Sequence, residues 1–143
     1  MSPALVIALF FTVALLVVTT YFLMGSVPLL VLKHDTPMDS RFVRGFFNTY
    51  YRIAIFTAGA TAVSYALAGR SAFAAGGALL ALVAIVLRRL VISRMDALHA
   101  RLQVRQTSAI PEFRRIHVTA ILVNLAQLVV IVASLVAVSI QMK

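Results

Sequence analysis

The chain has 143 residues, of which 62% are hydrophobic and 12% charged, and its mean hydropathy is +1.02. A soluble domain of this size cannot bury so much apolar surface, since soluble domains are nearer one-half apolar. The net charge of +9 raises the question of nucleic acid, but the basic residues cluster in two segments between apolar runs and form no recognisable nucleic-acid motif. The absence of cysteine excludes disulfides, iron–sulfur clusters and thiolate zinc sites. We therefore expect an integral membrane protein that does not bind nucleic acid.

Four apolar stretches predict four helices within a single transmembrane domain, residues 1–143. A helix needs about 20 mainly apolar residues to cross the hydrocarbon. The predicted helices cover about 4–32, 53–68, 72–91 with a cytoplasmic extension to 105, and 116–140. Gly25 and Pro28 predict a kink in the first helix, and the small residues of the second predict close contact with its neighbours. The expected fold class is all-α, an integral membrane four-helix bundle.

The distribution of basic residues predicts the topology. Eleven Lys and Arg residues lie in the first and third connections, whereas only Arg70 and Lys143 lie on the opposite side. Because cytoplasmic loops carry an excess of Lys and Arg, both long connections are expected in the cytoplasm and both termini in the periplasm of a bacterial inner membrane. The arginines expected to meet anionic lipid headgroups are Arg41, Arg44, Arg88, Arg89, Arg114 and Arg115.

The two basic segments also have local patterns. Segment 40–52 alternates aromatic and cationic residues, which favours an aromatic belt or an amphipathic helix in the headgroup layer. In the third connection, the predicted helical extension leaves Asp96 able to pair with Arg89 or Arg101.

Polar residues form a stripe along the fourth helix. The stripe contains His117, Asn124, Gln127, Ser134 and Gln141. Spacings of seven and three residues bring them towards one face of the helix. One interpretation is interhelical hydrogen bonding to threonines and serines of the first two helices, namely Thr12, Thr19, Thr57, Thr61 and Ser64. The other is a polar pocket that opens to the cytoplasm.

Signatures of enzymes are largely missing. The sequence has no phosphate-binding glycine loop, no metalloprotease motif and no carboxylate within a predicted span. The histidines His34, His99 and His117 all fall near the cytoplasmic ends of helices, so no transmembrane bis-histidine haem is expected. No cofactor or metal is predicted, and a b-type haem at the cytoplasmic edge involving His117 is the alternative.

Several short motifs resemble two families of small four-helix membrane proteins. The motifs are Gly25 with Pro28, the aromatic run 46–52, the basic run 88–94, and Phe113-Arg114-Arg115-Ile116-His117 followed by Asn124. They resemble the anthrone-oxygenase-like family and the transmembrane protein 205 family, and the position of Asn124 is more similar to the second. The first resemblance implies an oxidoreductase or oxygenase-like enzyme for a hydrophobic aromatic or quinone substrate. His117 would then act as acid and base, and Tyr51 or Arg52 would orient the substrate.

Three functions remain open from the sequence. The leading hypothesis is a non-enzymatic protein that works by helix packing, as an accessory subunit of a membrane complex or as a homo-oligomer. It follows from the small-residue helix faces and the missing intramembrane ionisable groups. The alternatives are the membrane enzyme implied by the first resemblance and a protein that binds anionic membrane lipids at its basic face.

Overall fold

The computed structural model describes residues 2–31, 37–104 and 108–141, and these residues are almost entirely helical. The described helices are α1 (Pro3–Leu29), α2 (Pro37–Leu67), α3 (Ser71–Gln103) and α4 (Ala109–Gln141). Each helix packs against the next along the chain, and α4 also packs against α1, so that α1 lies diagonal to α3 and α2 to α4. This confirms the predicted all-α four-helix bundle. We call the end that carries Arg41 and Arg101 the basic end, and the end that carries Gly69 the turn end.

Of the described helices, α1, α3 and α4 are each long and apolar enough to cross a membrane. Helix α2 is not among them because it contains more polar residues, several of which face inward: Thr57, Thr61 and Ser64 are buried. Its outward face is apolar, with Phe56 and Leu67 exposed by 68% and 77%. All four helices thus turn apolar side chains outward, as a bundle in lipid requires, and the chain is a membrane protein.

Helices α2 and α4 begin well before their predicted spans of 53–68 and 116–140, whereas α1 ends at Leu29. Helices α2 and α3 have 31 and 33 residues, which corresponds to about 46–50 Å of helix against about 30 Å of hydrocarbon. The segment 40–52, considered separately in the sequence, is the first part of α2. The predicted extension of the third helix continues to Gln103, and residue 105 lies outside the described residues. If the turn end lies at one membrane surface, the basic end projects beyond the other by about 15–20 Å.

Aromatic side chains fill the core of the basic half. The Phe22 ring stacks on Tyr50 with centroids 4.0 Å apart and meets Phe47 edge to face at 4.8 Å. Phe47, Tyr50 and Tyr51 are all buried. The predicted aromatic belt is therefore wrong for these three residues, because the helical spacing turns them towards α1 and α4 rather than to the headgroups.

Glycines permit two close helix contacts and one turn. A Cβ on Gly25 would lie 2.7 Å from Cζ of Phe46, and a Cβ on Gly77 would lie 3.0 Å from the backbone of Ala62. Helix α1 continues through Gly25 and Pro28 to Leu29. Gly69 has φ of 71°, and the amides of Gly69 and Arg70 donate to the carbonyls of Ala66 and Tyr65. This left-handed cap produces the tight α2–α3 turn that the sequence predicts.

Candidate functional sites

Asn124 joins α4 to the diagonal helix α2 through the centre of the bundle. Its side chain is completely buried. The Tyr50 hydroxyl donates to Asn124 Oδ1 at 2.8 Å, while Asn124 Nδ2 donates to Tyr51 Oη at 3.3 Å and to the Ala120 carbonyl at 2.7 Å. The carbonyl and both N–H groups of the amide are therefore satisfied inside the protein. This stabilises an otherwise unfavourable amide in an apolar core.

Interhelical hydrogen bonding by Asn124 agrees with one of the two interpretations, but its partners are tyrosines and not the expected threonines or serines. The hydroxyls of Thr57 and Thr61 instead donate to carbonyls of their own helix, at 2.9 Å in each case. Threonine commonly bonds the preceding turn in this way, because its hydroxyl reaches the i−4 carbonyl. The longer tyrosine side chain can cross to a diagonal helix.

The three residues expected in an enzyme site do not share one surface. His117 and Tyr51 have no exposed area, whereas Arg52 is exposed. The imidazole of His117 packs edge to face on Phe47, with ring centroids 5.0 Å apart. None of the cavities described below is lined by His117. A substrate could reach His117 or Tyr51 only if the helices separated.

The rest of the predicted stripe diverges from Asn124. Gln127 lines a small cavity of about 10 Å³ beside Thr19 and Tyr50. Ser134 donates to the Val130 carbonyl of its own helix at 2.8 Å. Gln141 accepts a hydrogen bond from Arg70 at the turn end, at 2.8 Å. A step of three residues rotates a side chain by about 60° around a helix, so the stripe divides between two faces.

Polar pairs join α2 to α3 along the basic end, and we call them the polar ladder. Its members are Ser40 Oγ with His99 Nδ1 at 2.6 Å, Arg44 Nε with Asp96 Oδ1 at 2.7 Å, and Arg88 Nε with Asn48 Oδ1 at 3.1 Å. A second bond of 3.0 Å makes the Arg44–Asp96 pair bidentate, and this hydrogen bonding raises the pKa of the Arg44 guanidinium. The predicted pairing of Asp96 with Arg89 or Arg101 is wrong, because α2 extends far enough to bring Arg44 beside it.

The ladder also bears on the histidines considered for haem. The second ring nitrogen of His99 lies 3.1 Å from Gln103 Nε2, so both nitrogens of His99 are engaged. His34 lies outside the described residues. His99 therefore contributes to the contact between α2 and α3, and the haem alternative at His117 stays a prediction.

The arginines predicted to meet headgroups divide into two groups. Arg44 and Arg88 donate within the polar ladder. The others, Arg41, Arg89, Arg114 and Arg115, are exposed. Arg101, which was predicted as a partner of Asp96, donates to Glu112 of α4 at 3.0 Å. The lipid contacts expected of these exposed arginines stay a prediction.

A groove of about 440 Å³ opens between α3 and α4 at the basic end. We call it the basic groove. Its lining includes Leu87, Leu90, Arg94, Arg115, Ile116 and Thr119. The sequence interpretation missed Arg94 as a member. The signal that could have found it is the spacing 87, 90, 91, 94, which is one face of a helix with an arginine nearest the basic end.

A second opening of about 390 Å³ lies between the same helices towards the turn end. We call it the small-residue cleft. Its lining includes small residues that we call the rim, namely Ala72 and Gly76 of α3 and Ser134 and Ala137 of α4. Larger side chains of the same helices, Phe73, Leu80 and Val130, also line the cleft. Its inner wall includes Thr61 and Tyr65 of α2, so the opening between α3 and α4 reaches the centre of the bundle.

No family model, curated protein or solved structure matches this chain. The two family resemblances stay predictions.

Proposed function

We propose that the protein is a non-enzymatic membrane protein that works by helix packing, as an accessory subunit of a membrane complex or as a homo-oligomer. The observation that carries the proposal is the small-residue cleft of about 390 Å³ between α3 and α4. In this proposal, a transmembrane helix of a second subunit packs against the rim of the cleft.

The chemistry of the cleft supports a helix as its occupant. Gly, Ala and Ser let two backbones approach closely, and the packing gained by close approach drives association between helices in lipid. The rim consists of such residues on both α3 and α4, including Gly76 and Ala137. A Cβ built on Gly76 meets nothing within 4 Å, so the cleft side of this residue has room for an incoming surface.

The buried polar groups support packing over catalysis. Asn124, Tyr50 and Tyr51 satisfy one another in the core, and His117 has no exposed area. The hydrogen bonds of Asn124 with the two tyrosines stabilise the closed bundle, and none of the four residues lines a cavity of substrate size among the basic groove, the small-residue cleft and the cavity beside Gln127. The outward surfaces of the described helices are instead apolar, which suits contact with lipid and with other membrane helices.

The orientation that we propose puts the basic end in the cytoplasm of a bacterial inner membrane and the termini in the periplasm. The basic end carries most of the arginines, including Arg41, Arg89 and Arg114, whereas Arg70 lies at the turn end. This asymmetry favours that direction of insertion.

Cysteine cross-linking tests the proposed interface directly, because the natural chain contains no cysteine. Ala137→Cys places a thiol on the cleft rim, and Val136→Cys places one on the neighbouring position, which is 54% exposed and absent from the cleft lining. Both residues lie at nearly the same depth. A short thiol-reactive photo-cross-linker is attached to each variant in native membranes, and the adducts are resolved by mass.

A product at twice the monomer mass from Ala137→Cys, with little from Val136→Cys, would support a homo-oligomer. A single heavier product of another mass would support an accessory subunit only if Gly76→Leu, which fills the cleft, abolishes it. Equal products from both cysteine variants, or lipid adducts alone, would overturn the proposal.

A further inference from the structure

The basic groove combines an apolar wall with cations at one end. The wall is formed by Leu87, Leu90 and Ile116. The cations are Arg94 of α3 and Arg115 of α4, which lie towards the basic end of the groove. Its volume of about 440 Å³ falls within the usual range for small-molecule sites, about 300–1,000 Å³. The groove therefore has the amphipathic character of a lipid at the membrane boundary.

The depth of the groove residues along α3 agrees with a lipid that has a charged headgroup and an apolar chain. Leu90 lies twenty residues beyond Arg70 along the chain, which corresponds to about 30 Å of helix, the thickness of the hydrocarbon. With the turn end at one membrane surface, Leu87 and Leu90 would lie at the opposite hydrocarbon boundary, with Arg94 about one turn further out. A phosphate at headgroup depth would meet Arg94 and Arg115, and an acyl chain would extend along Leu87 towards the membrane centre.

The acids near the groove are already paired with other cations. Glu112 is part of the groove lining, but its carboxylate accepts from Arg101 at 3.0 Å. Asp96 is held by both nitrogens of Arg44. Arg94 and Arg115 are both exposed. The groove consequently presents positive charge to an incoming headgroup.

We propose that the basic groove is a binding site for an anionic phospholipid, with the phosphate between Arg94 and Arg115 and an acyl chain against Leu87 and Leu90. The site is independent of the small-residue cleft, which lies at the other end of α3 and α4. Either proposal can fail without the other.

The chain has no tryptophan, so a single introduced indole reports on its own surroundings. Leu90→Trp places the reporter in the groove. Ile53→Trp places it on the outer face of α2, where Ile53 is 43% exposed and lies within about one helical turn of the same depth. Full-length protein is reconstituted in phosphatidylcholine vesicles that contain a small fraction of phosphatidylglycerol. Bromine is carried on the acyl chains of one lipid or the other, and fluorescence quenching gives the relative affinity of each site for the two lipids.

We expect the Leu90→Trp reporter to show about a thirtyfold preference for phosphatidylglycerol, since each of the two arginines contributes about 1 kcal/mol towards an anionic lipid. The Ile53→Trp reporter should show a ratio close to one. Adding Arg94→Gln and Arg115→Gln to the Leu90→Trp protein should remove most of the preference. Arg89→Gln with Arg114→Gln removes the same charge from exposed positions outside the groove lining, and should leave the preference nearly intact.

Equal preference at the two reporters, or equal loss in the two double variants, would overturn the proposal in favour of general surface attraction. A final experiment adds excess inorganic phosphate to the Leu90→Trp protein in the brominated vesicles. If it displaces brominated phosphatidylglycerol from the Leu90→Trp site, the groove recognises free phosphate and the lipid assignment is wrong. Retained quenching in excess phosphate supports the lipid.

Discussion

Helix α3 has two interfaces that differ in how they are closed. Against α2 it packs tightly: the backbone at Gly77 approaches Ala62 so closely that a Cβ would be 3.0 Å away, and the polar ladder continues the contact at the basic end. Against α4 it leaves the basic groove and the small-residue cleft. The same helix therefore contributes to a closed contact on one side and to two openings on the other.

The two interfaces of α3 are expected to have different roles: the α2–α3 contact stabilises the fold, and the α3–α4 side provides space for binding. The α2–α3 hairpin has a short turn at Gly69, a close backbone contact and ion pairing, so it supplies a firm framework. The α3–α4 side retains space for lipid or another helix. Substitutions in the first interface should lower the free energy of unfolding, whereas those in the second should change binding and leave stability nearly constant.

The largest expected effect comes from the two adjacent glycines of α3. Gly77→Ala forces a methyl group towards the Ala62 backbone, which cannot move like a flexible side chain, and should cost about 1–3 kcal/mol in the free energy of unfolding. Gly76→Ala is the matched control, since a Cβ there meets nothing within 4 Å. It should be neutral or slightly stabilising, because alanine favours a helix. Equilibrium unfolding by SDS in mixed micelles measures both, and equal effects would show that the tight contact does not exist.

Asn124→Leu should have the next largest effect. It removes the acceptor of the Tyr50 hydroxyl and the donor to Tyr51, and interhelical hydrogen bonds in lipid contribute about 0.6 kcal/mol each on average, so the loss should be about 1–2 kcal/mol. The same unfolding assay on Asn124→Leu, Tyr50→Phe and the double variant completes a thermodynamic cycle. Effects that simply add would show that Asn124 and Tyr50 are not coupled.

The pattern of apolar residues made the bundle predictable from the sequence, whereas the hydrogen-bond partners of individual side chains were harder to predict. The runs in α1, α3 and α4 indicate helices because little else can cover so much apolar surface in a short chain. Asn124 was recognised as a buried polar group, but Tyr50 and Tyr51 were assigned by sequence position to the membrane boundary. The contacts of these tyrosines depend on how α2 and α4 are positioned relative to each other, and the sequence of a single helix does not determine that arrangement.

The same reasoning explains why Arg94 was missed and Asp96 misassigned. Both lie beyond the predicted span in α3, where the hydropathy pattern no longer indicates which face is inward. Asp96 pairs with Arg44 because α2 continues to the basic end as one helix. The pairing could be found only after the lengths and positions of both helices were known.

A smaller effect is expected for Arg44→Gln in the polar ladder. The Arg44 and Asp96 side chains are 37% and 52% exposed, and exposed ion pairs contribute about 0.2–1 kcal/mol, which salt reduces further. Arg41→Gln, at a nearby exposed position of α2, is the control for a general change of charge. If the difference between the two variants persists in high salt, hydrogen bonding rather than charge attraction holds this end of the hairpin.

The smallest effect on stability is expected at Ala137 on the rim of the cleft. A leucine there enters the opening of about 390 Å³ rather than a filled core, so Ala137→Leu should change the free energy of unfolding by no more than about 0.5 kcal/mol. Ala84→Leu is the contrasting variant, since Ala84 is only 3% exposed and overpacking there should cost about 1–3 kcal/mol. An equally large loss for both would mean that α3 and α4 close over the cleft in the membrane, and the contrast between the two interfaces of α3 would disappear. A neutral Ala137→Leu that also prevents cross-linking from Ser134→Cys would instead locate recognition on the open side of α3.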